Sequence, residues 1–277
     1  MEPVKVLCVG GSDSSGGAGI QADLKAVSAC GCYGLSVITA VTAQNTKGVH
    51  GVYPVSPKFV GQQLDDVLND IGADSVKTGM LLTAGVVQEV AKKIKKYGLT
   101  KVVVDPVMIA KGGRFLMQDK AREVMVNNLL PLALVFTPNI PEAEKLARMK
   151  ITSVAAMKRA AVKIHEMGVK NVLIKGGHLQ GSMRTVVIDI LYNGSYYEFS
   201  SPRIDSPNTH GTGCSYASVL ASALAQNKNI VDAARQAKIM VTAAIENALI
   251  LGKGYGSVNI FGKNILTKKK QTKNSAR

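Results

Sequence analysis

The chain has 277 residues, 46% hydrophobic and 19% charged, a composition that suits a soluble globular protein able to bury a full core. No apolar run reaches the roughly 20 residues that cross a bilayer. The start, MEPVKVLCVGG, lacks a basic segment followed by a long apolar stretch and a cleavage site, so no membrane partner is expected and the expected location is cytoplasmic. The formal charge of +15 is partly a matter of the last ten residues, where Lys268, Lys269, Lys270, Lys273 and Arg277 occur without an acid. The remaining excess has no aromatic interleaving, so no nucleic acid is expected as a partner, and residues 268–277 read as a disordered, solvated tail.

In chain order, VKVLCVGG (4–11), LSVITAV (35–41), SVKTGM (75–80), KVVVDPVM (101–108), LALVFTP (132–138) and NVLIKGG (171–177) read as strands. They are short, rich in β-branched residues and end in Gly, Pro or Asp. Helical patterns separate them at 17–30, 57–70, 84–97, 118–129, 141–148 and 153–167. That alternation predicts parallel strands with crossover helices on both faces. Residues 186–202 read as a hairpin turning at Asn193-Gly194, an I′-type signal, and two helices follow at 213–226 and 230–250. The fold class is therefore α/β, a central mostly parallel sheet flanked by helices on both faces with a late β-hairpin edge. One domain is expected over 1–267.

Cys8, Cys30, Cys32 and Cys214 are too scattered for a disulfide framework. Cys30-Gly31-Cys32 has no second pair to complete a zinc site, and the first three cysteines read as structural thiols. No P-loop occurs, and GGSDSSGGAG after the first strand fails the dinucleotide spacing.

Ligands of open parallel sheets sit beyond the carboxyl ends of the strands, so the residues there carry the candidates. In HGTGC, Gly211 and Gly213 permit close backbone approach. Their N–H groups, with the orphan donors at the start of the next helix, suit an anion or a moving phosphoryl group. Cys214 falls in that first turn, where a helix dipole lowers a thiol pKa; a packing glycine with a buried cysteine explains the same residues. In TPNIPEAE, Asn139 and Glu142 have capping-box spacing, and the alternative places Asn139 near phosphates and Glu142 on Mg²⁺. Asp105 is either a second Mg²⁺ carboxylate or an Asp-Pro turn. Lys175 is either a phosphoryl-directed cation or a lysine snorkelling from a strand end. His210 reads as a turn residue, and His50, His165 and His178 show no metal-ligand spacing.

Seven blocks in order carry a resemblance: GSDSSGGAGIQADLKA (11–26), VITAVTAQNTKGV (37–49), VKTGML (76–81), VVDPVM (103–108), TPNIPEAE (137–144), LIKGGH (173–178) and NTHGTGC (208–214). Across roughly 4–260 the chain resembles the hydroxymethylpyrimidine/phosphomethylpyrimidine kinases of the ribokinase superfamily. The resemblance implies ATP-dependent, Mg²⁺-assisted phosphorylation of a primary alcohol in thiamine biosynthesis, then of its monophosphate, by a homodimer. Cys214 stands where sugar kinases of the superfamily have an Asp base, with Gly211 to Gly213 stabilising phosphoryl charge. The resemblance also implies that Gln44 reads the aminopyrimidine, that Gly11 and Ala18 line its pocket, and that Asp23 adds a polar contact. Met80 and Val107 sandwich the ring. Asn139, Lys175, Thr209, Gly211 and Thr212 fall at nucleotide or phosphate positions, Glu142 and Asp105 at metal positions, and LGKGYGSVN (251–259) near the purine end. Pyridoxine/pyridoxal kinases of the same branch, and a non-catalytic pyrimidine-binding protein, are the competing readings; Gln44 favours the pyrimidine.

Overall fold

The computed structural model describes residues 2–108, 117–179 and 185–262. The basic tail 268–277 lies outside them. Among the described residues, nine strands form one sheet: β1 (Lys5–Asp13), β2 (Tyr33–Asn45), β3 (Gly48–Pro54), β4 (Ser75–Thr78), β5 (Val102–Val104), β6 (Val135–Phe136), β7 (Val172–Ile174), β8 (Val186–Tyr192) and β9 (Tyr196–Pro202). Their order is β3-β2-β1-β4-β5-β6-β7-β8-β9. The middle, from β2 through β7, is parallel. Both ends are antiparallel, β3 on β2 and the β8–β9 pair on β7.

The parallel centre with helical crossovers and the late hairpin agree with the sequence reading. Strand β3 does not appear in it. Gly48 and Gly51 interrupt its apolar pattern, and as an edge strand it buries little. The hairpin turn also differs from the I′ expectation. Tyr192 pairs with Tyr196 across a loop in which only Gly194 has positive φ, whereas I′ geometry needs two such residues.

Among the described residues, eight α-helices cover the sheet: α1 (Gly19–Ala29), α2 (Pro57–Asp70), α3 (Ala84–Lys96), α4 (Asp119–Val124), α5 (Ile140–Ala147), α6 (Val154–His165), α7 (Thr212–Ala225) and α8 (Ile230–Glu246). The single helix expected over 118–129 instead widens after α4 into a π turn, Met125–Leu129, and ends in a 3-10 turn at Leu130–Leu132. Pro131 has no N–H with which to continue an α-helical ladder.

Side chains of β1 alternate between two cores. Leu7 and Val9 join the larger one, with helix residues from α2, α3, α5 and α6. Val6 and Cys8 face the other, built on α1, α7 and α8. Ser56, Thr83, Ser153 and Asn229 cap α2, α3, α6 and α8 with their side chains. Helix α7 differs: its N-cap is Gly211 at φ +82°, with no side-chain cap.

Candidate active site

A cleft of about 1200 Å³ opens beyond the carboxyl ends of the parallel strands. That exceeds the upper range of ordinary small-molecule pockets, about 1,000 Å³, and leaves room for a nucleotide beside a second ligand. Every residue named above as a site candidate lies on its wall: Gly11, Ala18, Asp23, Gln44, Met80, Asp105, Val107, Asn139, Glu142, Lys175, Thr209, Gly211, Thr212, Gly213 and Cys214.

At the centre is the start of α7. Gly211 is required on two counts. Its φ of +82° favours glycine, and a Cβ there would sit 1.9 Å from the Gly17 carbonyl oxygen. With no side chain capping the helix, the N–H groups of Gly213 and Cys214 remain for a ligand. A Cβ on Gly213 would come within 3.5 Å of Lys175 Nζ and 3.7 Å of Asp105 Oδ2, so the turn faces a charged cluster directly.

That cluster is built from neighbouring strand ends. The Asp105 N–H donates to the Thr78 carbonyl at 3.0 Å, and Lys175 N–H to the Pro138 carbonyl at 2.9 Å. Their side chains meet, Lys175 Nζ to Asp105 Oδ1 at 2.8 Å. Burial alone would lower the lysine pKa, but Asp105 and then Glu142 raise it, so Lys175 stays charged. Glu142 and Asn139 form the capping box: Asn139 N–H donates to Glu142 Oε2 at 2.9 Å, and Glu142 N–H to Asn139 Oδ1 at 3.0 Å. Capping and lining the cleft are thus compatible. Burial pushes the Glu142 carboxyl up, while Lys175 opposes that shift.

Cys214 departs from expectation. The helix start does not lower its pKa. Burial, first of all, and the carboxylates of Asp23 and Asp105 push the thiol up to about 11, against the opposing pull of Lys77. At neutral pH it is a thiol.

The floor under Cys214 holds a buried ion pair that sequence reasoning passed over. Lys77 Nζ lies 2.8 Å from each Asp23 oxygen, and Ser218 Oγ donates to Asp23 Oδ1 at 2.9 Å. Asp23, expected as a polar contact to a ligand, thus has both oxygens engaged by the protein. Gly79 makes room: a Cβ there would come 2.9 Å from Lys77 Nζ. The signal was present in the sequence as a lone charge inside SVKT, a strand buried at every position.

At the other end, Met80 and Val107 pack in one small apolar cluster with Ala40. Gly11 admits Met80, whose Cε would lie 2.3 Å from a Cβ at that position. Gln44, half-buried, closes this end. His210, read as a turn residue, does more than turn the chain: its Nε2 is 2.9 Å from Asp13 Oδ2 and 3.2 Å from the Gln44 amide. Segment 251–259 braces this end of the cleft. Tyr255 N–H donates to the Thr46 carbonyl at 2.8 Å, and Ser257 bridges to His210.

Among the described residues no three His, Cys, Asp or Glu side chains are arranged to hold a metal, and no helix is long and apolar enough to cross a membrane. The mainly parallel sheet, covered on both faces and with an uncapped glycine turn aimed at charged strand ends, is the ribokinase-like fold of small-molecule kinases. Among solved structures, the ADP complex of Bacillus subtilis pyridoxal kinase matches with a TM-score of 0.86 at 37% identity, covering 93% of this chain and 97% of that one. Phosphomethylpyrimidine kinase of Clostridium difficile 630 matches with a TM-score of 0.77 at 43% identity, covering 87% and 99%.

A family model described as phosphomethylpyrimidine kinase matches residues 13–259. The hydroxymethylpyrimidine/phosphomethylpyrimidine kinase of Bacillus subtilis is 45% identical over 262 residues, 94% of this chain and 96% of that protein. The thiamine biosynthesis bifunctional protein ThiED of Geobacter sulfurreducens is 52% identical over 255 residues, which are 92% of this chain and 51% of that protein. The chain therefore spans about half the length of this bifunctional relative. It belongs to the phosphomethylpyrimidine kinase family.

Proposed function

We propose that the protein is an ATP-dependent kinase that phosphorylates the hydroxymethyl group of 4-amino-5-hydroxymethyl-2-methylpyrimidine and then converts the monophosphate to the diphosphate, in thiamine biosynthesis. The observation that carries this reading is the Gln44 carboxamide, half-buried on the wall of the same cleft as the uncapped start of α7. A carboxamide offers a donor and an acceptor side by side, which complements a ring nitrogen next to an exocyclic amine.

In this reading Met80 and Val107 take the faces of the ring, with Gly11 and Ala18 lining its pocket. Cys214, a thiol at neutral pH, positions the substrate hydroxyl rather than removing its proton beforehand. Phosphoryl transfer through a loose transition state requires little base assistance. The Gly211–Gly213 turn and the N–H groups of Gly213 and Cys214 face the charge that grows on the transferring phosphoryl oxygens, and Lys175 adds a fixed cation. Asn139, Thr209 and Thr212 serve the nucleotide phosphates.

The donor set also fits Mg²⁺. Asp105 Oδ2 faces the space left by the missing Cβ of Gly213, and Glu142 is near enough to Lys175 and Asp105 for the charges of both to act on its carboxyl. With two carboxylates and no third ligand among the described residues, an ion here would keep waters and take phosphate oxygens, as Mg²⁺ does. When bound it neutralises phosphate charge. A homodimer, a cytoplasmic location and a single kinase unit over 1–267 complete the proposal.

A second reading, a pyridoxine/pyridoxal kinase, draws on the match to Bacillus subtilis pyridoxal kinase. ADP release with Mg-ATP, measured separately with hydroxymethylpyrimidine, its monophosphate, pyridoxine and ribose, separates the two. Turnover of both pyrimidines is expected. Turnover of pyridoxine alone would overturn the proposal in favour of the second reading, and binding without turnover would leave a pyrimidine sensor.

A further inference from the structure

Gln44 reads a ring only if its amide is held one way round, because a half-turn exchanges donor and acceptor. The structure contains the parts that hold it. As placed, the amide nitrogen faces His210 Nε2 and the amide oxygen faces Thr42 Oγ1, both at 3.2 Å. Hydrogen-bond bookkeeping contradicts that orientation at both ends.

Asp13 determines which His210 nitrogen carries the proton. Its Oδ1 accepts from the Ser15 N–H at 2.8 Å and the Ser15 hydroxyl at 2.7 Å, and its Oδ2 from the Ala18 N–H at 2.8 Å. Burial favours the neutral acid, but the bonds from His210, Ser15 and Ala18 outweigh it and hold the carboxyl below its ordinary value. Asp13 is therefore a carboxylate and an acceptor only. At 2.9 Å from Oδ2, His210 Nε2 must carry the proton, whether the ring is neutral or cationic. A protonated Nε2 cannot accept from an amide nitrogen. It can share its proton with an amide oxygen.

The other end agrees. The single proton of the Thr42 hydroxyl goes to the Ser12 carbonyl at 2.9 Å. None remains for an amide oxygen, whereas the hydroxyl lone pairs accept from an amide N–H. Turning the amide over satisfies both contacts, and amide orientation is assigned from such networks.

We propose that Asp13 and His210 are positioning residues that fix the Gln44 carboxamide with its oxygen toward His210 and its nitrogen toward Thr42, so that the pocket accepts one donor–acceptor arrangement of the ring and rejects the inverse. This rests on the function proposed above and deepens it into a specificity device. One amide N–H and one oxygen lone pair remain for the substrate, in fixed order. His210 is itself immobilised: its N–H donates to the Gly256 carbonyl and its carbonyl accepts from the Val258 N–H, both at 3.1 Å, and a Cβ on Gly17 would lie 2.4 Å from its ring.

The test compares His210→Leu, which keeps bulk without a donor, with His210→Gln, whose amide returns a donor near the same point. Gln44→Ala, the His210→Leu/Gln44→Ala double variant and the near-isosteric Thr42→Val complete the set. For hydroxymethylpyrimidine, His210→Leu and Thr42→Val are expected to lower kcat/KM about tenfold, mainly through KM, as loss of one ordering hydrogen bond implies. Pyridoxine turnover is expected to change less than about twofold, and His210→Gln to recover most of the loss. In the Gln44→Ala background, His210→Leu is expected to add nothing.

Equal losses for both substrates, additive losses in the double variant, or no rescue by His210→Gln would overturn the positioning role. If His210→Leu does not fold, Thr42→Val alone decides: an unchanged KM for the pyrimidine overturns the proposal. Wild-type protein that turns over neither pyrimidine would instead refute the function itself.

Discussion

Replacing Lys77 by Met removes one half of an ion pair whose two side chains are each only 1% exposed. Both Asp23 oxygens lose a 2.8 Å charged hydrogen bond, and Asp23 keeps the Ser218 hydroxyl as a partner at 2.9 Å. A single carboxylate left in such a place costs about 3–5 kcal/mol. For a chain of this size, with roughly 2 °C of melting temperature per kcal/mol, Tm falls by about 6–10 °C. Converting both partners together, Lys77→Met with Asp23→Leu, removes the orphaned charge, so the double variant is expected to recover most of that loss. Lys96, on the surface beside Asp65 with its side chain 52% exposed, supplies the contrast: Lys96→Met is expected to move Tm little. Calorimetry and urea titration of the four proteins read these differences. A Lys77→Met variant no less stable than Lys96→Met, or a double variant no more stable than Lys77→Met alone, would refute the reasoning.

Gly211→Ala forces a side chain into a positive-φ position 1.9 Å from the Gly17 carbonyl oxygen, and is expected to lose several degrees of Tm together with activity. Gly213→Ala meets nothing closer than 3.5 Å, so it is expected to keep its Tm and lose turnover by crowding Lys175 and Asp105, as thermal scans beside ADP-release assays will show. With Cys214 titrating at about 11, raised mainly by burial, the thiolate is only about 1% populated at pH 9. Its alkylation by iodoacetamide should therefore rise about tenfold per pH unit from 7 to 10, while kcat stays flat over pH 7–9; a kcat that climbs with the thiolate would make Cys214 a true base. Glu142→Gln is expected to raise the Mg²⁺ concentration for half-maximal rate several-fold, with a stability loss of about 1 kcal/mol from the disturbed cap.

Much of the sheet was legible because its parallel strands are buried on both faces and show as unbroken apolar runs, as in VVV of β5 or VLI of β7. β3 was not, since an exposed edge with two glycines carries no such run. The cleft residues were legible because the fold places ligands beyond strand ends, and ordered blocks identify those ends. What stayed hidden depends on pairs distant in sequence. Lys77 with Asp23 and His210 with Asp13 each join elements that no local pattern connects. The Cys214 pKa failed for a related reason: a first-turn position predicts the dipole, but the carboxylates that act on it come from α1 and from the residue just after β5.

The central claim is that Gln44 and the α7 turn serve one reaction on one ring. Mass spectrometry of hydroxymethylpyrimidine incubated with the purified protein and Mg-ATP tests it most directly. The account predicts the monophosphate first and the diphosphate after it, with ribose left untouched. Unchanged pyrimidine beside phosphorylated pyridoxine would contradict it.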